Sequence, residues 1–239
     1  MAKQTVRDMT EGSPFQLILA FFIPMLCGML FQQLYSMVDT IIVGKCLGVG
    51  ALAAVGATGS LSFMIIGFCQ GVCSGFSIPV AQKFGEKNEK ALRRFVANSG
   101  WLAALFSLVM TTVVCSLCHS LLVWMNTPED IIEGAYQYIF VVFLGIPATY
   151  LYNLLSGIIR SLGDSTTPLV FLVLSSLLNV ALDFFTILVL DMGVAGAGWA
   201  TIISQAVSGI LCLIYMRKKF TILRMEGDEW KPNRRFMAG

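Results

Sequence analysis

Asp39 and Asp183 stand inside long apolar stretches that carry almost no other charge. An ionised carboxylate at the centre of a membrane helix costs roughly 2.5–3.5 kcal/mol on insertion scales. Such a residue as a rule faces a bundle interior or a water-filled cavity and marks an ion or substrate path. The pair is suited to holding a proton or a cation. It is also suited to acid/base chemistry as an intramembrane enzyme, which needs the carboxyls within a few ångströms of each other. The plain alternative is that each acid ties two helices together by hydrogen bonds. Gln32, Tyr35 and Ser36 precede Asp39 at helical spacing and form one stripe with it, and Asn179 lies one turn before Asp183. Hydrogen-bonding company of this kind lowers the cost of burying an acid.

The elements that must position these residues are membrane helices. The chain is 56% hydrophobic and 13% charged, with a mean hydropathy of +0.78; a soluble domain carries about 25% charged residues. Six apolar segments are long enough to cross a hydrocarbon core. They run over about 15–43, 51–80, 95–123, 131–159, 169–190 and 194–215. The fold class is therefore all-α, a polytopic membrane protein with six transmembrane helices. A 1–13 segment precedes the helical lobe of 14–216, and a basic tail of 217–239 follows it. The first segment is longer than a signal-peptide core and reads as a retained helix. Kinks are expected at Pro24 or at Gly145 and Pro147. The net charge of +2 gives no reason to invoke nucleic acid.

Every Lys and Arg except Lys45 falls on one side if both termini lie inside, as the positive-inside rule requires. This predicts a plasma membrane protein, in a bacterium the inner membrane, with both termini cytoplasmic. On that topology both acids lie in the outer half of the bilayer, roughly 7–12 Å from its outer edge. Thr201 and Tyr138 are expected at a similar depth. They complete a polar cluster or, in the case of Tyr138 with Tyr136, belong to an interfacial aromatic belt. Each acid is followed, nine or ten residues on, by a glycine-led small-residue stretch, Gly48-Val49-Gly50-Ala51 and Gly193-Val194-Ala195-Gly196.

Other motifs carry less chemistry. Gly67, Gly71 and Gly75 repeat at four-residue spacing and predict close helix packing. The seven cysteines read as small hydrophobes within helices. Cys115 and Cys118 form a C-x-x-C without a second pair, and His119, the only histidine, lacks partners for a metal site. Gly163-Asp164 sits at a helix end and is a poor match to an intramembrane protease motif. No metal site is predicted beyond possible Na⁺ at Asp39, Asn179 and Asp183.

In order along the chain, the sequence resembles the multidrug and toxic-compound extrusion transporters. The resemblance rests on Met9-Thr10-Glu11-Gly12-Ser13-Pro14, on the run from Gln32 to Gly44, and on Ala53-Ala54-Val55-Gly56-Ala57. It continues through Val80-Ala81-Gln82-Lys83-Phe84-Gly85, Gly157 to Asp164, Asn179 to Asp183, and Gly193 to Thr201. It implies one six-helix lobe of a two-lobe fold, the basic tail beginning the connector to a second lobe. It implies a secondary antiporter, not an enzyme, exporting cationic amphipathic drugs or toxins by alternating access, with H⁺ or Na⁺ as coupling ion and no cofactor. Asp39, Asn179 and Asp183 then correspond to the cation site, with Tyr35, Tyr138 and Thr201 as its hydrogen-bonding neighbours. The expected partners are the substrate, membrane lipids and a second six-helix lobe, whether the rest of a longer chain, a second copy or a separate subunit. The runner-up is a lipid or oligosaccharide-lipid flippase of a related superfamily, which predicts a more basic cavity.

Overall fold

The computed structural model describes residues 13–225 and 227–230. Seven α-helices run in chain order: α1 (Pro14–Leu47), α2 (Val49–Gly85), α3 (Glu89–Trp124), α4 (Glu129–Leu144), α5 (Ile146–Ser161), α6 (Thr166–Phe184) and α7 (Gly193–Lys219). No strand occurs among the described residues. Five helices are each long and apolar enough to cross a membrane, and α4 with α5 makes a sixth crossing bent by 45°. The break falls at Gly145. A side chain there would overlap Ile202 of α7, and Pro147 in the first turn of α5 supplies no N–H to continue the ladder. The helix α1 continues through Pro24 without a break.

Short turns join the crossings. Gly48, at φ +87°, is the single residue between α1 and α2, a conformation that side chains resist. Gly193, at φ +58°, opens α7 in the same way, so both acids sit on helices that lead into glycine turns. The segment between Asp183 and that turn is a π-helical turn, Phe185–Val189. At the other end Asn88 caps α3 by accepting from the Ala91 N–H at 3.1 Å. Asp164 accepts the Thr167 N–H at 3.0 Å and the Thr167 and Tyr215 hydroxyls, each at 2.7 Å. This acid therefore fastens the start of α6 to α7 and has no catalytic setting.

The core lies where α5 packs against α2, α3 and α7. Side-chain-to-backbone hydrogen bonds also cross from α6 to α7, Ser175 to the Ser204 carbonyl at 3.0 Å and Ser208 to the Phe171 carbonyl at 3.1 Å. Such bonds hold helices together where burial against lipid supplies little force. Close approach is made by glycines of α7 and α5. A Cβ on Gly198 would stand 2.9 Å from Val141 of α4, one on Gly209 3.0 Å from Leu151 of α5, and one on Gly157 would overlap Ser77 of α2. The expectation for Gly67, Gly71 and Gly75 is corrected here. All three are exposed, and a Cβ on any of them meets nothing within 4 Å. No described helix packs on that stripe. It faces away from α5, against which the buried face of α2 is turned.

The tail folds back under the helices through 3₁₀ turns at Thr221–Leu223 and Gly227–Trp230. Arg93 donates to Glu229 at 2.7 Å, and the Trp101 indole N–H donates to the Trp230 carbonyl at 3.0 Å. Because α7 continues to Lys219, Arg217 and Lys218 are helical rather than tail. The motif residues 9–12 and the last connector residues lie outside the described residues.

Candidate cation site

Asp39 lies two turns before the end of α1, and Asp183 lies at the end of regular α6, so both acids fall near the Gly48 and Gly193 turns. Asp39 is 6% exposed, and Asp183 and Asn179 are fully buried. The two carboxyls are within hydrogen-bonding reach of each other. With its amide oriented to satisfy both ends, Asn179 donates to Asp183 Oδ2 at 3.2 Å and accepts from the Thr201 backbone N–H at 3.2 Å. The Tyr35 hydroxyl lies beside the Thr201 side chain. Tyr138, half-buried, stands close to Tyr35 and both acids. Four helices, α1, α4, α6 and α7, thus converge on one polar cluster.

Each carboxyl keeps one buried oxygen, Asp39 Oδ1 and Asp183 Oδ1, without a hydrogen-bond partner among the described residues. Two carboxylates this close in a low-dielectric interior repel strongly unless a proton or cation lies between them. The donor set is oxygen-rich, with two carboxyls, a side-chain amide and hydroxyls, which suits H⁺ or a hard cation such as Na⁺.

The structure brings together Tyr35, Asp39, Tyr138, Asn179, Asp183 and Thr201. It leaves Gln32 and Ser36 outside: both are exposed on α1, and Gln32 lines a separate cavity nearer the basic end. Two polar residues near the cluster in the chain escaped the sequence reading. Thr186 sits in the π-helical turn just after Asp183, donates to the Leu182 carbonyl at 2.8 Å, and touches the position of Gly196. Nothing in the local sequence announces that turn, although such turns recur at functional sites. Gln205 lies one turn beyond Thr201 on α7, and its buried Oε1 has no partner among the described residues. Its four-residue spacing from Thr201 was the available signal.

The separate cavity, about 1330 Å³, lies between α1, α2, α5 and α6. Arg160 lines it with no hydrogen bond or ion pair among the described residues, alongside Lys83, which pairs with Glu86 at 2.8 Å. The polar space in this lobe is therefore acidic toward the glycine turns and, with Lys83, Lys87 and Arg160 against Glu89, net basic toward the opposite end. His119 stacks edge-on against Tyr136 with ring centroids 6.0 Å apart, and the seven cysteines are free thiols. Among the described residues no three His, Cys, Asp or Glu side chains gather as a metal site.

Six apolar crossings around a buried polar cluster, with irregular helix beside it, define a transporter lobe. The MatE family model matches residues 24–185, and the chain belongs to this family of multidrug efflux transporters. It is 32% identical over 205 residues to the "Probable multidrug resistance protein YoeA" of Bacillus subtilis, covering 83% of this chain and 44% of that protein. The solved structure "MATE in the bent conformation" superposes with a TM-score of 0.87 at 29% identity, covering 99% of this chain and 53% of that one. A Pyrococcus furiosus structure described as "Reverse polarity of binding pocket suggests different function of a MOP superfamily transporter" matches at 0.88 and 28%, over 99% and 52%. The chain spans about half the length of the relatives it matches. MatE proteins are transporters, so the acid/base-enzyme reading is set aside on family grounds. The closeness of the two carboxyls would not by itself have excluded it.

Proposed function

We propose that this chain is the first lobe of a cation-coupled antiporter that exports cationic amphipathic drugs or toxins by alternating access. The observation that carries the reading is the pair of neighbouring buried carboxyls, each with an unpartnered oxygen. Binding H⁺ or Na⁺ at Asp39, Asn179 and Asp183 relieves their repulsion and draws α1 toward α6 and α7. Loss of the ion loosens that contact, and the two packings favour opposite access states. Helix α1 suits the moving part, because most of its length before Asp39 is exposed in this lobe. Its exposed Gln32 and Ser36 are ill suited to acyl chains and turn toward a second six-helix lobe, which closes the cavity. The basic end faces the cytoplasm, in a bacterial inner membrane.

The test is D39N and D183N in cells expressing the complete two-lobe protein. Cation-driven efflux is lost while the amount of inserted protein is unchanged. Undiminished drug resistance with both substitutions refutes the assignment.

One observation favours a second reading. Arg160, unpaired in the larger cavity, fits an anionic headgroup, as in a lipid or oligosaccharide-lipid flippase on the same architecture. R160Q abolishes transport of an anionic lipid cargo under that reading, and leaves transport of a cationic dye intact under the first.

A further inference from the structure

A second crevice, about 800 Å³, opens between α3, α5 and α7 at the basic end, and no residue of α1, α2 or α6 lines it. Its walls are apolar, with Val96, Ala104, Leu151, Leu154 and Leu213 among them. Along α3 it runs from Val96 to Ser107, about 16 Å at the helical rise, or one leaflet of a hydrocarbon core of about 30 Å. The Ser107 hydroxyl at its inner end is already satisfied by the Ala104 carbonyl at 3.0 Å. Tyr150 also lines the crevice, and its buried hydroxyl, without a hydrogen-bond partner among the described residues, lies beside Cys69 and Cys73 of α2.

Its mouth is different. Arg217, at the end of α7, and Arg224, in the folded-back tail, both line it. Both are exposed, and neither side chain forms an ion pair or hydrogen bond among the described residues. Between them the lip is built by Trp230, seated on Trp101 with ring centroids 6.0 Å apart. That seat is held by the Arg93–Glu229 pair. Paired indoles above an apolar slot are typical of a membrane–water boundary, and basic pockets between helix ends bind anionic headgroups.

We infer that this crevice binds one anionic phospholipid of the adjacent leaflet, an acyl chain between α3, α5 and α7 and its phosphate between Arg217 and Arg224. The bound headgroup bridges the end of α7 to the tail. It braces the connector against α3, on a side of the lobe remote from Asp39 and Asp183. The inference does not depend on which cargo the lobe carries.

The test titrates the purified 239-residue chain in detergent with phosphatidylglycerol or phosphatidylcholine, counting bound lipid by native mass spectrometry. One phosphatidylglycerol binds per chain, preferred about thirty-fold over phosphatidylcholine from two cationic contacts. R217Q with R224Q removes the preference, whereas K218Q with K219Q, exposed charges at the same helix end but outside the crevice, leaves it. G100L fills the slot, since a Cβ at Gly100 meets nothing within 4 Å. It abolishes binding of both lipids with helicity and melting temperature preserved. Inorganic phosphate at millimolar concentration does not compete. A preference that survives R217Q with R224Q overturns the inference, as does binding that survives G100L. Equal loss in the lysine pair marks unspecific surface attraction and overturns it too, and competition by phosphate reduces the site to an anion contact without a lipid slot.

Discussion

Gly198→Ala and Gly71→Ala, one methyl group each on two membrane helices, are expected to change stability in opposite directions. At Gly198 the new Cβ stands 2.9 Å from Val141 Cγ1, 3.1 Å from Val141 Cβ and 3.3 Å from the Tyr138 carbonyl oxygen. Inserting a methyl into so tight a contact costs about 1–3 kcal/mol. Removing a helical glycine returns about 0.5–1 kcal/mol, so the net loss is about 1 kcal/mol, between limits of about 0 and 2.5 kcal/mol. At Gly71 the Cβ meets nothing within 4 Å, and only the gain of about 0.5–1 kcal/mol remains. Thermal unfolding of the purified chain in detergent, followed by circular dichroism, reads both. Adding V141A to G198A makes the room that alanine needs, so the double mutant loses less than the sum of its parts. Because the strained contact includes the Tyr138 carbonyl, G198A also disturbs the polar cluster while G71A does not. The reasoning fails if G198A melts at or above the parent, or if V141A gives no recovery.

Two further outcomes follow from the basic end of the lobe. D164A removes the cap on α6 and the carboxylate that accepts from the Tyr215 hydroxyl, a loss of about 2–4 kcal/mol in the same unfolding assay, and D164N loses less because its amide oxygen still accepts. E229A breaks the pair that fastens the tail to α3. Local opening becomes about 1–2 kcal/mol easier, seen as roughly five- to thirty-fold faster tryptic cleavage after Arg224 with the melting temperature of the helices unchanged.

What the chain determined by itself was one-dimensional: which stretches enter the membrane, and where charge is out of place. Apolar length marked six crossings, and the isolation of Asp39 and Asp183 in apolar sequence singled them out. Turn-to-acid spacing placed both near one edge of the bilayer, because rise per residue converts spacing to depth. Asn179 and Tyr35 were legible as same-face neighbours within a helix. Which helix faces meet was decided only in three dimensions. The four-residue glycine repeat of α2 turns outward, while isolated glycines of α7 and α5 make the close contacts, because a small residue acts only where an opposing surface exists. Ser36 and Gln32 share the Asp39 stripe, yet packing against α6 buries Asp39 and leaves them exposed. The π-helical turn after Asp183, the break at Gly145 and the placing of Arg217 and Arg224 along one crevice likewise arise from packing between segments distant in sequence. Local periodicity carries no record of such partners.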